Sequence, residues 1–334
     1  MYTAKNVRLR YIFHFAWRTV LFFAVYATVV TFLFANLNWR FLNVPFVPIS
    51  VVGIAASFYL GFKNNSSYER LWEGRRIWGS FTNFSRAFAV YVLDYIRPTA
   101  DFTEEEARQA HRTLLYRHIA YLNAVRIQLR SRTVWENDDR TATNIVQNYT
   151  HFRQCGLSDE LLDYLPEAEI NEHTGKFNAA THILRRQSED LQKLHERGAL
   201  SDYKQVELGR MLTEFYNQQG ACERIKAFPF PRQYAYMSRV FVWIFILMLP
   251  LGLLNQFQPL GAEFVWLTIP FSIVISWIFN TMEVVGDTSE NPFENAINDV
   301  PLSAICRNIE IDLRQMLNES ETPQPLKPEN NILM

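Results

Sequence analysis

The sequence has little cysteine and no excess of charge of either sign. Its three cysteines, Cys155, Cys222 and Cys306, stand far apart with no CxxC pair, which argues against a disulfide framework or a zinc knuckle and is typical of a reducing compartment. Because 33 Lys and Arg balance 34 Asp and Glu, no overall basic field favours nucleic acid as a partner. We therefore expect neither a nucleic-acid-binding protein nor a disulfide-stapled fold.

The sequence also lacks the short motifs that mark common catalytic sites. It contains no Gly-rich phosphate loop, no GxSxG and no HExxH. His111 and His118 could share one face of a helix, but no third ligand stands at a matching spacing to complete a metal site. We therefore predict that the protein is not an enzyme and that it holds neither a metal nor a cofactor.

Charged residues are missing from four long apolar runs, which contain no Lys, Arg, Asp or Glu. The runs cover residues 19–37, 44–62, 240–254 and 264–282. A helix needs about 20 apolar residues to cross the hydrocarbon core of a bilayer. Buried helices of a soluble protein are the alternative, but four such runs in two tight pairs favour four membrane spans. Their lack of ionisable groups argues against an ion-coupled transporter.

Basic residues lie on one side of these runs. The short loops within the two pairs, residues 38–43 and 255–263, contain one basic residue, Arg40. By contrast, the segments before the first span and after the second are rich in basic residues: Lys5, Arg8, Arg10, Arg18, Lys63, Arg70, Arg75 and Arg76. The positive-inside rule then places both termini and the middle of the chain in the cytoplasm.

Outside the spans the sequence predicts helices. Thr103 and Glu106 match a capping box, and two further helices are predicted over residues 178–196 and 202–227, with Gly198 between them. No segment alternates as a strand does, so the predicted fold class is all-α.

The sequence predicts four consecutive parts. They are residues 1–62 for the N-terminal segment and spans 1 and 2, 63–233 for a helical cytoplasmic domain, 234–284 for spans 3 and 4, and 285–334 for a cytoplasmic C-terminal segment. Its Pro-rich tail is predicted to be an extended or disordered arm.

The second span carries large apolar side chains along one face. Ile54, Phe58 and Phe62 recur every four residues, a spacing that places them on one side of a helix. The opposite side of the helix is predicted to be small, with Gly53, Ala55, Ala56, Ser57 and Gly61, and polar sequence follows without a linker. The stripe either packs against lipid and other helices or lines a pore. A pore needs several copies in a ring, whose apolar collars gate by dewetting.

Three further segments resemble a known family, the bestrophins, and especially their bacterial members. The segments are GFKNNSSYERLWEGRRIWG at 61–79, ACERIKAFPFPRQY at 221–234 and ENPFENAINDVPLSAICRNIEIDL at 290–313. Together with the order of the four spans, the resemblance covers about residues 5–315. It implies a homopentameric ion channel of the bacterial inner (plasma) membrane, in contact with lipid, that passively conducts monovalent ions through a central pore.

The resemblance also implies where the pore is narrow. Ile54, Phe58 and Phe62 fall on the three positions of the family's hydrophobic neck. A second, cytoplasmic aperture should lie near residues 200–206, with Leu200, Tyr203 and Val206 as candidates. The animal members bind calcium through consecutive acids after their NPF segment, whereas here only Glu294 and Asp299 remain, separated by apolar and amide residues. Since hard cations need several charged oxygens, we expect no activation by calcium.

The permeant ion is less constrained by the sequence. The electropositive edges of Phe rings and Lys63 just below the neck would both favour anions, and no acidic ring is placed in the second span. Anions such as chloride are therefore favoured slightly. A cation-selective channel for sodium or potassium with the same architecture stays open, as does a membrane scaffold without conduction.

Overall fold

A computed structural model of the chain describes residues 1–131, 150 and 156–334, with the backbone alone for residues 9, 10 and 12–15. Among the described residues, four helices are long and apolar enough to cross a membrane. They are α1 (Leu9–Leu37), α2 (Phe46–Tyr95), α8 (Arg232–Phe257) and α9 (Thr268–Thr288). Each contains most of one predicted span, so the prediction of four spans is confirmed.

The second of these helices is much longer than its span. α2 has 50 residues, more than twice the roughly 20 that a bilayer requires. Its apolar first part passes into the polar sequence after Phe62 without a break, as the missing linker predicted. The loops that flank the spans are short, with single 3₁₀ turns at Arg40–Leu42, Gln258–Leu260 and Phe264–Leu267.

The remaining helices confirm the predicted fold class. They are α3 (Glu104–Arg130), α4 (Leu157–Leu161), α5 (Glu167–Thr174), α6 (Ala179–Glu196), α7 (Asp202–Ala227) and α10 (Leu302–Met316). Thr103 caps α3 in a complete capping box with Glu106, and Gly198 between α6 and α7 has a φ of +71°. In the described residues, β-pairing is limited to isolated bridges.

The chain divides into two compact units. The first, here called the span unit, comprises Ala4–Leu71 and Pro229–Asn291. The second, the helical unit, comprises Met1–Thr3, Trp72–Phe228 and Pro292–Met334. α2 therefore supplies its first part to the span unit and its last part to the helical unit.

The span unit is held together by apolar contacts between its helices. Phe23 of α1, Leu60 of α2 and Ile246 of α8 belong to one buried cluster. Close approach of helices depends on glycine, because a β-carbon on Gly252 of α8 would lie 2.7 Å from Cδ1 of Ile49. α8 continues through Pro250, so this proline does not break the helix.

The core of the helical unit surrounds His118. This side chain is buried, and its ring centroid lies 5.2 Å from that of Phe88 and 4.4 Å from that of Phe215. The His118 Nε2 atom lies 2.8 Å from Ser85 Oγ, while the Ser85 hydroxyl donates to the carbonyl of Phe81. Nε2 is therefore the donor, and α2, α3 and α7 meet at a neutral imidazole.

The C-terminal tail is extended and folded back onto the helical unit. Tyr2 and Ile332 form an antiparallel bridge, and the amide of Thr3 donates to the carbonyl of Asn331 at 2.8 Å. Ile332 and Met334 are buried. Residues 331–334 are therefore held against the N-terminal residues, whereas the predicted Pro-rich arm lies mainly before them.

Two of the three cysteines, Cys222 and Cys306, are buried free thiols. Burial raises the pKa of the Cys306 thiol to about 11, so it is an unreactive packing group. Cys155 lies outside the described residues.

Candidate functional site

The three predicted neck residues lie on the exposed face of α2. Within the chain, Ile54, Phe58 and Phe62 keep 70%, 66% and 52% of their surface exposed. The rings of Phe58 and Phe62 meet edge to face, with centroids 4.6 Å apart and an angle of 85° between their planes. Three large apolar side chains therefore form one continuous surface that the described part of the span unit leaves mostly exposed.

The small residues of α2 divide between two environments. Gly53 and Ala56 are buried against the other spans, and a β-carbon on Gly53 would lie 2.6 Å from Cε2 of Phe245. Ser57 and Gly61 are exposed, and a β-carbon on Gly61 would meet nothing within 4 Å. The first pair allows α2 to pack closely against the other spans of its own chain. The second pair places no large side chain beside the three neck residues.

Helix geometry places the neck residues in a narrow sector. Successive side chains turn by about 100°, so Ile54, Phe58 and Phe62 point within ~80° of one another. On the same basis Gly61 falls at one edge of this sector and Ala55 at the other. The apolar surface is thus bordered on both sides by residues that permit close approach of another helix.

Lys63 does not face the same way as Phe62, and here the sequence-based expectation was wrong. Its side chain is 1% exposed, and its Nζ atom lies 2.5 Å from Glu283 Oε1 and 2.6 Å from Asp287 Oδ1. Arg239 pairs with the second oxygen of Asp287, and the hydroxyl of Ser238 donates to Glu283. Two cations and two carboxylates balance, so Lys63 adds no positive potential beneath the neck.

One exposed acidic residue below the neck was missed by sequence reasoning. Asn65 and Glu69 are exposed on α2, and the Asn65 amide nitrogen donates to Glu69 Oε1 at 2.9 Å. Glu69 follows Phe62 by seven residues, which is two helical turns, so it shares the face of the neck. That spacing is visible in the sequence, but Glu69 lies beyond the apolar run in which an acidic ring was sought.

The predicted aperture residues differ in their exposure. Tyr203 and Val206 lie three positions apart in the first turns of α7 and are 73% and 53% exposed. Leu200 precedes this helix, and its side chain is buried in the helical unit at 2% exposure. Leu200 therefore does not share a surface with the other two.

The segment after Phe293 is folded around its own acidic residue. Asp299 is buried, and its carboxylate accepts the amide hydrogen of Ala296 at 2.9 Å. Burial is the main cause that raises the pKa of Asp299 to about 6. Among the described residues, no group of three or more His, Cys, Asp or Glu side chains is arranged to hold a metal ion.

Comparison with known proteins identifies the family. The sequence model described as bacterial/fungal bestrophin protein matches residues 10–315, almost the whole range over which the resemblance was noted. The chain belongs to the bestrophin family.

Among bestrophin relatives, the voltage-dependent anion channel-forming protein YneE of Escherichia coli K12 is 28% identical over 284 residues, which is 85% of this chain and 81% of the relative. A voltage-dependent anion channel-forming protein of Mesorhizobium japonicum is 27% identical over 300 residues, covering 89% of this chain and 84% of that one. The similarity extends through both units of the chain.

The fold is that of a solved bacterial bestrophin homologue. The crystal structure of the Klebsiella pneumoniae homologue matches with a TM-score of 0.75 at 24% identity and covers 90% of this chain and 98% of its own. The bestrophin fold therefore accounts for nearly the whole chain, and its four candidate spans make it a membrane protein.

Proposed function

We propose that this bestrophin is a homopentameric ion channel with a neck formed by Ile54, Phe58 and Phe62 of five copies. It conducts monovalent ions passively, with anions such as chloride preferred. The observation that carries the proposal is the exposed face of α2, where three large apolar side chains project away from a helix whose opposite side packs against its own chain.

Exposure of apolar side chains is also expected of a helix that faces lipid. Leu21, Val25 and Val29 of α1, for example, have the same spacing and similar exposure. Two features distinguish α2: its neck surface is bordered by small residues, and the same helix continues into polar side chains. Lipid contact explains neither, whereas a ring of α2 helices that delivers ions to water needs both.

The proposed gate closes by dewetting of the apolar constriction. In a ring, the Ile and Phe side chains form stacked apolar collars, and a narrow apolar constriction excludes water and with it hydrated ions. Widening of the collar admits water and permits conduction. Farther along the chain, Tyr203 and Val206 are the proposed side chains of the cytoplasmic aperture, because they are exposed.

The proposed location is the bacterial inner membrane, with both termini in the cytoplasm. The support is the distribution of basic residues, since Lys5, Arg8 and Arg18 precede the first span and the loops within the pairs are nearly free of basic residues. Trp39 and Trp266, beside the loops within the span pairs, are exposed, as interfacial anchors in a lipid bilayer are.

The preference for anions rests on the relatives, two of which carry the name of anion channel-forming proteins at 28% and 27% identity. Lys63 does not contribute to it, because its charge is buried and balanced. Cation conduction through the same architecture is the second candidate, and the exposed carboxylate of Glu69 is the observation that favours it.

Two measurements test the proposal. Native mass spectrometry in mild detergent should show five chains. Reconstitution of the purified protein in planar bilayers under a salt gradient should give currents with a defined reversal potential, the sign of which identifies the preferred ion class. Only monomers or dimers, or the absence of current from a protein that assembles, would favour the non-conducting scaffold.

A further inference from the structure

We infer that Glu69 sets the ion preference of the pore by placing a ring of carboxylates directly beneath the neck. The inference rests on the proposed function, since a ring exists only if five α2 helices surround one axis. Glu69 would disfavour the passage of anions, although the relatives carry the name of anion channel-forming proteins.

The first support is the position of Glu69. At about 100° per residue, Asn65 and Glu69 fall inside the sector defined by Ile54, Phe58 and Phe62. At a rise of about 1.5 Å per residue, the Cα atom of Glu69 lies ~10 Å along the helix from that of Phe62. An ion that leaves the neck therefore meets this carboxylate within two helical turns.

The second support is its orientation. The Asn65 amide donates to Glu69 Oε1 at 2.9 Å, and both side chains are exposed on the face that carries the neck. This hydrogen bond holds the carboxylate on that face instead of leaving it to swing freely. The amide carries no charge, so the ring remains negative.

The third support is that no cation of residues 62–71 shares the neck face with Glu69; the next cation on this face, Arg76, follows two helical turns farther along α2. Lys63 is buried with Glu283 and Asp287. The guanidinium of Arg70 donates its Nε hydrogen to the backbone carbonyl of Glu290 at 2.8 Å, which directs it towards the inside of the span unit. Within residues 62–71, all of which the structure describes, the neck face thus carries one formal charge per chain, and it is negative.

Five such charges act on every ion near the axis. Like charge raises the energy of an anion at this level, and opposite charge concentrates cations there. Even at the dielectric constant of water, one unit charge at about 4 Å changes the local concentration of an ion roughly fivefold. The same charge lowers the concentration of an anion and raises that of a cation, so removal of Glu69 should raise the ratio of anion to cation permeability by about 25-fold.

The test is the reversal potential of the full-length protein in planar bilayers under a potassium chloride gradient. Glu69→Gln should shift the reversal potential towards the equilibrium potential of chloride, and Glu69→Lys should shift it further. Glu69→Asp retains the charge and should behave as the parent. The matched control is Glu196→Gln on α6, an exposed glutamate that accepts a hydrogen bond from Gln192 four residues earlier, and it should leave the reversal potential unchanged.

The outcomes separate this inference from the proposed function. Parent protein that assembles but passes no current overturns both. Currents whose reversal potential is the same in Glu69→Gln as in the parent overturn the inference and leave the channel intact. Equal shifts in Glu69→Asp and Glu69→Gln, or loss of the pentamer in Glu69→Gln by native mass spectrometry, would assign Glu69 a structural role and also overturn it.

Discussion

Gly53 of α2 lies so close to Phe245 of α8 that a β-carbon on the glycine would be 2.6 Å from Cε2 of the ring. Phe245 is buried and packs against Phe279 with a centroid distance of 4.5 Å, so it has little room to move. We expect Gly53→Ala to lower the free energy of unfolding by about 1–3 kcal/mol through overpacking. The loss is measured as a lower midpoint of thermal unfolding in detergent.

The control for this substitution is Gly220→Ala in α7, where a β-carbon meets nothing within 4 Å. Alanine is preferred to glycine inside a helix by roughly 0.5–1 kcal/mol, so this variant should be as stable as the parent or more stable. Equal midpoints for the two variants would show that the contact between Gly53 and Phe245 relaxes without cost.

Simultaneous replacement of Ile54, Phe58 and Phe62 by alanine should raise the conductance and weaken gating. The smaller side chains widen the collar, so that water and ions enter it more readily. Phe58→Ala alone should produce part of this effect, because it is the middle ring. Single-channel recording in bilayers measures both variants, and native mass spectrometry checks that the pentamer persists.

A matched control exists on α1, where Leu21, Val25 and Val29 have the same spacing and are also exposed. Their replacement by alanine should leave conductance unchanged, since these side chains are proposed to face lipid. If the neck variant assembles and conducts as the parent does, the stripe on α2 is a packing surface and the proposed gate is wrong.

Calcium should not activate the channel. The segment after Phe293 offers two acidic residues, and the carboxylate of Asp299 is buried and occupied by a backbone amide. A calcium ion needs six to eight oxygen ligands. Titration of calcium from roughly nanomolar to millimolar concentrations, across the affinity range of protein sites, should therefore leave the bilayer current within a few-fold of its starting value. Steep activation below the micromolar range would falsify this expectation.

Lys63→Met should destabilise the span unit strongly. The substitution leaves Glu283, whose side chain is 5% exposed, as a buried carboxylate without its main partner, a change that typically costs about 3–5 kcal/mol. The exposed pair of Lys176 and Glu172, at 33% and 57% exposure, provides the comparison. Lys176→Met should cost no more than ~1 kcal/mol. Thermal unfolding of both variants under one set of conditions measures the difference.

His118 should make the protein less stable in acid. Burial lowers the pKa of His118 to about 3, whereas in the unfolded chain the pKa is near the usual ~6.5. Between these values the unfolded state binds a proton that the folded state does not, so stability falls as the pH drops below about 6.5, by about 1.4 kcal/mol per pH unit. The parent should therefore lose about 2 kcal/mol from this group between pH 6.5 and pH 5.

The variant that isolates this contribution is His118→Gln, which keeps a polar side chain near Ser85 but does not titrate. The difference between its unfolding midpoints at about pH 7 and pH 5, either side of the usual histidine pKa, should be smaller than that of the parent. The same pH dependence in both proteins would assign the acid sensitivity to other groups.

Local patterns predicted the helices well. The capping box of Thr103 and Glu106 gave the start of α3, and the gap around Gly198 separated α6 from α7, because these signals depend on residues only a few positions apart. That Ile54, Phe58 and Phe62 share one face of α2 likewise follows from a spacing of four residues, whereas their exposure does not. The continuity of α2 was expected because polar sequence follows Phe62 without a linker.

Contacts between distant residues escaped prediction. Lys63 was expected to add positive potential beneath the neck because it follows Phe62. A change of one residue rotates a helical side chain by about 100°, however, and its partner Glu283 lies 220 residues away. Leu200 looked equivalent to Val206, yet it precedes the helix that exposes the latter. The anchored tail depends on pairing of residues 1–3 with residues 331–334, which no local pattern indicates.

The pairing of Lys63 also has a consequence for biosynthesis. Glu283 is added to the growing chain 220 residues after Lys63, so the lysine carries an uncompensated charge while the first two spans are inserted. Positive charge beside a span at that stage is what fixes orientation. Once α9 is made, the two carboxylates neutralise the charge and draw it inward. The same ammonium group can thus direct insertion early and still add no net charge to the folded span unit.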